Sequence, residues 1–281
     1  MASPQRSARA LLVPLGALLA LISTPSAAHD MWLAPERFVV ARGEPLRARL
    51  LVGEALAPEQ SKPYQAARTP ELRLHHARRS TDLRPEIHDG ADPFLGEVRL
   101  RGRGEHLVAV RRDWASISLP PERFLEYVTH EGIAAQVGDP TALSGAQRER
   151  YRRSIKSLVR VGGGRGGRLH ARVLGQPLEV VLIDAPAKLG VGGRLRARLL
   201  LAGQPLPIHP LTAHVRDGAG KVTTQTQITD AGGVASFAVA GDGTWLVKAV
   251  HMSRCGDCSG AQWQSEWTAF TFAVGSSSVT R

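Results

Sequence analysis

The chain has 281 residues, of which 43% are hydrophobic and 22% charged, a balance that excludes a disordered protein and is long enough for one large or two ordinary domains. Its 36 basic residues outnumber 25 acidic ones, but only five of the basic residues are lysine. Because the basic residues are spread along predicted strands and are not interleaved with aromatics, we expect no nucleic-acid partner. The arginine excess is interpreted as compositional bias, with a weak attraction to anionic surfaces as the alternative.

The first 28 residues have the layout of a secretory signal peptide. Arg6 and Arg9 precede an apolar stretch, Ala10 to Ile22, that is short for a membrane span, and small residues lead up to a cut after Ala28. The alternative is an uncleaved anchor. We expect a mature chain that begins at His29, is exported to the periplasm in soluble form and has no membrane span.

A repeated pattern predicts two similar β domains. Gly43–Leu51 reappears as Gly192–Leu200, with Leu or Ala alternating with Arg, which is typical of a half-buried strand. A second repeated segment pairs Gly104–Val108 with Gly243–Val247, and the two repeated segments occur in the same order in both halves of the chain. We predict a mainly β protein of two immunoglobulin-like antiparallel β-sandwich domains, at residues 29–165 and 168–274, with a flexible tail at 275–281.

Residues 120–160 depart from the β pattern and predict a helical insertion at the end of the first sandwich. Two prolines open a segment whose apolar residues have helical spacing: Phe124, Tyr127 and Val128. Ser144 and Gln147 have the spacing of a capping box, and a second helix is predicted after them from Tyr151, Ile155, Leu158 and Val159. The glycine-rich stretch Gly162–Gly167 then predicts a hinge or loose loop at the domain boundary.

His29 becomes chemically distinctive if the chain is cut after Ala28. An N-terminal histidine offers its free α-amine and its ring as two nitrogen donors, and a third nitrogen would complete the tetragonal arrangement that Cu(II) and Ni(II) prefer. The alternative is that the cut happens to fall before a histidine. His251 is the candidate partner, with a buried histidine satisfied by a hydrogen bond as the alternative interpretation.

Cys255 and Cys258 follow His251 closely and allow three interpretations. An exported protein meets an oxidising compartment, which favours a disulfide. Imidazole and two thiolates can instead bind a borderline metal ion, with Asp257 or His29 as a further ligand. Redox catalysis ranks last, because the first cysteine does not begin a predicted helix.

The remaining histidines and acids predict no further site. We interpret His75, His76 and His88 as surface residues in a basic, loop-rich region. The sequence has no nucleophile elbow and no zinc-protease motif, so we expect a protein that is not an enzyme.

Three segments carry a resemblance to a known family: His29–Leu33, Arg150–Val159, and Trp245–Met252 with the later stretch Trp267–Phe272. From His29 to about Phe272 the chain resembles the nickel-transport-associated periplasmic domains, exported bacterial proteins linked to nickel and cobalt uptake. The resemblance implies a periplasmic β-sandwich and places His29 and His251 among recurrent positions. The Cys255–Cys258 insert departs from the family pattern and puts the identity of the metal in doubt.

From this resemblance we expect a periplasmic accessory protein that presents nickel or cobalt, or else copper, to a membrane transporter; zinc is a further cofactor candidate. The predicted metal ligands are His29, His251, Cys255 and Cys258. The alternative is a metal-free adaptor or adhesion module of the cell envelope, made of two β-sandwich domains.

Overall fold

The computed structural model describes residues 29–139, 143–162 and 167–275. Within these ranges the chain forms strands in three sheets and one α-helix, so the predicted mainly β sandwich fold is confirmed. The predicted signal peptide, residues 163–166 of the predicted hinge and the tail from 276 lie outside the described residues.

Two of the sheets have four strands each, and both are built around a central strand that comes from the repeated sequence. The first sheet contains β1 Asp30–Pro35, β3 Pro45–Glu54, β4 Ala57–Lys62 and β7 Leu95–Arg99. The second contains β10 Leu178–Leu182, β11 Arg194–Leu201, β12 Gln204–Pro205 and β15 Val234–Ala238. In β3 and β11, buried Leu and Ala alternate with exposed Arg, so both predicted half-buried strands are confirmed.

The third sheet has nine strands and runs through the middle of the molecule. Its strands are β2 Val39–Val40, β5 Glu71–His76, β6 Arg79–Asp82, β8 Gly104–Leu119, β9 Gln147–Val161, β13 Pro210–Arg216, β14 Val222–Ile228, β16 Gly243–Arg254 and β17 Trp263–Val274. Along β16, Leu246 lies in the hydrophobic core of the first small sheet, whereas Trp245 and Val247 lie in that of the second. The two small sheets therefore cover opposite faces of the central sheet, which makes three layers.

The two halves of the chain repeat the same order of strands. Strands β1, β3, β4 and β7 of the first small sheet correspond to β10, β11, β12 and β15, and the central-sheet order β6-β5-β8-β9 mirrors β14-β13-β16-β17. The halves meet where β9 and β17 pair in parallel. Because the small sheets lie on opposite faces, a pseudo-two-fold axis along these two strands relates the halves.

The helical insertion is only partly confirmed. The first predicted helix is present as α1 Pro121–His130, whose buried side chains are Phe124, Tyr127 and Val128. The second predicted helix is wrong, because its residues form β9. The amide of Gln147 donates to the carbonyls of Ser144 and Gly145, so the capping box does not form. Both faces of β9 are covered, and every residue from Arg153 to Val159 is buried, which removes the period-two signal of a strand.

The predicted boundary near Gly162 falls between β9 and β10. Since β9 and β17 pair across that boundary, the two halves share one sheet; the residue limits of the two predicted domains stay a prediction. In the part of the chain that the structure describes, no helix is long and apolar enough to cross a membrane.

Candidate functional site at the start of the mature chain

His29 lies directly before β1, at the surface beside a carboxylate. Its side chain is 20% exposed, and its Nδ1 atom lies 3.3 Å from Oε2 of Glu59, a residue of β4. A β-bulge places Glu59 there: Val52 pairs with Gln60 and Gly53 with Pro58, which leaves Glu59 as the extra residue. Gly53 makes the bulge possible, because a Cβ atom at that position would clash with the carbonyl of Ala57.

A buried cluster of charged groups holds the residue next to His29. Asp30 is 4% exposed, and its carboxylate lies 2.7 Å from Nζ of Lys248. Lys248 also binds Glu131, at 2.8 Å, and Nε2 of His214 lies 3.6 Å from the other oxygen of Asp30. The carbonyl of His29 accepts a hydrogen bond from Arg153 at 3.1 Å. The chain is therefore fixed on both sides of the peptide that follows His29.

The pKa values in this cluster follow from burial and charge pairing. Burial lowers the pKa of Lys248, but Asp30 and Glu131 outweigh it and hold the pKa above its ordinary value. Burial raises the pKa of Glu131, with Lys248 opposing. Burial lowers the pKa of His214 to about 4, so this histidine is neutral at pH 7. In this cluster one lysine, Lys248, is thus paired with two carboxyl groups, those of Asp30 and Glu131.

The structure does not bring His251 to His29. His251 lies on β16, three residues after Lys248, and alternation along the strand places its ring on the opposite face from the Lys248–Asp30 pair. Its ring lies 5.6 Å from that of His209, measured between centroids, and burial lowers the pKa of both histidines. Nε2 of His209 lies 2.8 Å from the carbonyl oxygen of Val250, and its Nδ1 lies 3.2 Å from the amide nitrogen of Gln136.

Cys255 and Cys258 form a disulfide in the connection between β16 and β17. Of the three interpretations that the sequence allowed, the structure has the disulfide. In a disulfide neither sulfur is a thiolate that could bind a metal ion. The backbone N–H of Cys255 donates to the carbonyl of Gln262, which fixes the connection to the sheet. Among the described residues, no three His, Cys, Asp or Glu side chains are placed to hold a metal ion.

The structure therefore separates the four predicted ligands. His29 is surface-accessible beside Glu59, the half-buried His251 lies against the buried His209, and the two cysteines are joined to each other. Glu59 was not predicted, because a contact across the bulge leaves no pattern in the sequence. The interpretation of His75 as a surface residue is wrong: His75 is 7% exposed, and burial lowers its pKa to about 4.

Comparison with solved structures gives only distant likenesses. The chain is similar to the D0-D1 domain of intimin, with 11% identity over 85% of this chain and 96% of that one and a TM-score of 0.22. It is also similar to a tetra-tandem repeat in the extending region of a large adhesion protein, with 12% identity over 87% of this chain and 49% of that one and a TM-score of 0.19. At these scores neither likeness bears on fold or function.

No curated protein matches the chain. A family model described as a domain of unknown function, DUF4198, matches residues 26–253, which is most of the chain. That description assigns no activity, so the link to nickel and cobalt uptake stays a prediction. The chain belongs to the DUF4198 family.

Proposed function

We propose that the protein is an exported metal-binding accessory protein that holds one divalent ion, Ni(II), Co(II) or Cu(II), at His29 and Glu59 and delivers it to a membrane transporter. The observation that carries the proposal is the position of His29 Nδ1, 3.3 Å from the Glu59 carboxylate at an accessible edge of the molecule. After a cut at Ala28, the α-amine of His29 would add a second nitrogen donor to the same residue.

These donors fit a transition-metal ion. The amine and the ring nitrogen of one residue form a chelate, and a carboxylate oxygen supplies a third donor, a mixed set that suits Cu(II) and Ni(II). Delivery of an ion needs an accessible site, and the Glu59 side chain is 49% exposed. Periplasmic localisation and the transporter partner rest on the signal-peptide pattern and on the family resemblance.

Order at the start of the chain supports this proposal. The first residues of most domains are poorly ordered unless other parts of the structure hold them. Here the Asp30–Lys248 pair, at 2.7 Å, and the hydrogen bond from Arg153 to the His29 carbonyl fix the residue that would become the N-terminus. A chelate gains affinity when its donors are already in place, because less conformational entropy is lost on binding.

This ligand set differs from the set expected from sequence. Glu59 replaces His251, and the disulfide removes Cys255 and Cys258. We therefore expect Glu59→Gln to weaken binding of Cu(II) and Ni(II) by on the order of tenfold or more, a loss that changes around a metal site commonly cause. His251→Ala is the matched control, and should leave the affinity unchanged. Calorimetric titration of protein that begins at His29 measures both variants.

The competing function is a metal-free adaptor or adhesion module. It is favoured by the lack of three converging side-chain ligands among the residues that the structure describes. Correctly processed protein that binds neither Cu(II) nor Ni(II) would support this module and end the metal proposal. If His251→Ala lost as much metal affinity as Glu59→Gln, the metal site could not be the one proposed at His29 and Glu59.

A further inference from the structure

A cavity at the open edge of the first sandwich is lined by residues between Leu74 and His106, and His29 is not part of its lining. It has a volume of about 1130 Å³ and lies between the β5–β6 hairpin and β7. Its floor is apolar and consists of Leu74, Leu83 and Val98. The cavity is about as large as a small-molecule site and has the concave, mainly apolar lining that such sites share.

Four arginines line the mouth of this cavity, which we name the arginine cleft: Arg78, Arg79, Arg99 and Arg101. All four are exposed, and none of their guanidinium groups has a hydrogen-bond or ion-pair partner among the described residues. Two acids also line the cleft, Glu86 and Glu97, and Glu97 is paired with Arg47 at 2.9 Å. The mouth therefore carries an excess of positive charge with free planar donors, which suit carboxylate and phosphate groups.

A pair of stacked imidazoles forms one wall. The rings of His76 and His106 lie 4.0 Å apart at an angle of 7°. Nε2 of His106 lies 2.9 Å from the carbonyl oxygen of Arg101, and Nδ1 lies 3.2 Å from that of Gly104. Gly102, at φ +85°, lets the loop pass over the ring of His76, where a Cβ atom would be only 2.5 Å from Nε2. This loop brings Arg101 to the mouth of the cleft.

The second half of the molecule shows that the fold itself does not require such a cleft. At the equivalent edge, the side chain of Gln225 on β14 bonds both the N–H and the carbonyl of Ala238 on β15, each at 2.9 Å, and closes the gap. Counting from Gly104 and Gly243, the position of His106 is occupied by Trp245, and both side chains are fully buried. The positions of Arg99 and Arg101 are occupied by Ala238 and Ala240. The gap between the strands and these two arginines are thus not repeated in the second half.

We propose that the arginine cleft binds a small amphipathic anion, a molecule with an apolar chain or ring and one carboxylate or phosphate group. The apolar part would cover Leu74, Leu83 and Val98, while the anionic group would accept hydrogen bonds from Arg99 and Arg101. A bare anion would bind the guanidinium groups but leave the cavity above the apolar floor unfilled. An uncharged chain would fill the cavity but leave the guanidinium groups without a partner. This site is independent of the metal site at His29.

Calorimetric titration of the mature protein with decanoate, decyl phosphate, inorganic phosphate and decanol tests the proposal, with the amphiphiles kept below micelle formation. We expect decanoate or decyl phosphate, or both, to bind at least about tenfold more tightly than inorganic phosphate and decanol, as charge-assisted hydrogen bonds added to apolar burial predict. Which of the two amphiphiles binds better identifies the head group. Inorganic phosphate or decanol binding as tightly as the better of the two amphiphiles, or no binding of either amphiphile, would overturn the proposal.

Variants locate the site. Arg99→Gln with Arg101→Gln should lower the affinity by at least about tenfold, because two charge-assisted donors are lost. The matched control is Arg198→Gln, an exposed arginine on β11 in the second half, which should bind as the unchanged protein does. All three residues are exposed, so the variants are expected to fold, and circular dichroism verifies this. An equal loss in Arg198→Gln would mean that the anions bind through general charge, against the proposal.

Discussion

Glu149 on β9 illustrates how a single buried group sets part of the pH dependence of this protein. It is 2% exposed and accepts hydrogen bonds from the hydroxyls of Tyr127, at 3.2 Å, and Ser265. Burial raises the pKa of Glu149 to about 7 from an ordinary value of 4.5, although both hydrogen bonds oppose the shift. Between these two pH values the folded protein binds a proton that the unfolded chain has released.

The contribution of Glu149 to stability therefore falls as the pH rises from about 4.5 through 7, because at this group the folded state holds a proton that the unfolded state has lost. We expect Glu149→Gln to remove this loss, so that its stability relative to the unchanged protein improves by about 3 kcal/mol between pH 4 and pH 8. Urea unfolding of both proteins at pH 4, 6 and 8 measures the difference. A difference that stays constant with pH would show that Glu149 is ionised throughout.

At the residue scale, the sequence identified His29 as a candidate ligand but did not predict that Glu59 lies beside it. The signal-peptide pattern pointed to His29 from local composition alone. Its contact with Glu59 depends on a bulge in β4 and on the glycine opposite, and its fixed position depends on Lys248, more than 200 residues away. Such long-range contacts have no periodicity from which they could be predicted.

Strands covered on one face were predicted correctly, and a strand covered on both faces was not. In β3 and β11 the exposed arginines mark every second position, so the period of two is visible. In β9 the buried run removes that period, and apolar residues at positions 151, 155, 158 and 159 match a helix by coincidence. The sandwich fold was predictable, but its shared central sheet was not.

Strand β9 also contributes a fully buried lysine. Nζ of Lys156 lies 2.9 Å from Oε1 of Glu179 on β10, and both side chains have no exposed area. Burial lowers the pKa of Lys156, with Glu179 opposing. Glu179 also accepts hydrogen bonds from the backbone N–H groups of Leu174, Gly175 and Gln176. The pair thus joins the central sheet of one half to the small sheet of the other.

We expect Lys156→Met to destabilise the protein by about 3–5 kcal/mol, because it leaves the Glu179 carboxylate buried without its cation. Adding Glu179→Gln should recover much of this loss, since the amide is neutral and keeps an acceptor for the loop. Lys188→Met makes the same replacement at an exposed lysine and should change stability by no more than about 0.5 kcal/mol. Chemical denaturation of the unchanged protein, Lys156→Met, Glu179→Gln, the double variant and the Lys188→Met control gives the values. Full additivity of the two changes would contradict a direct interaction.

At the scale of the whole molecule, the two halves are connected by more than a linker. Parallel pairing joins β9 to β17 from Glu149 opposite Trp263 to Ser157 opposite Thr271. Three buried acid–lysine pairs also cross between the halves: Lys248 pairs with both Asp30 and Glu131, and Lys156 pairs with Glu179. Separation would expose β9 and β17 as long edge strands and would take from each of these five groups its oppositely charged partner.

We therefore expect the halves to unfold together. Urea unfolding followed by far-ultraviolet circular dichroism and by tryptophan fluorescence should give one transition with the same midpoint for both signals. Trp32 belongs to the core of the first half and Trp245 to that of the second, so fluorescence monitors both. Two transitions with separate midpoints would show that the shared sheet does not couple the halves.

The account depends most on His29 as the N-terminal metal ligand, and one measurement tests this directly. Cu(II) and Ni(II) are titrated calorimetrically into protein that begins at His29 and into the same protein with one alanine added before His29. The added residue displaces the α-amine and leaves the ring and Glu59 in place. We predict that affinity falls by on the order of tenfold or more in the extended protein. Equal affinity in the two proteins would contradict a site built on the new N-terminus.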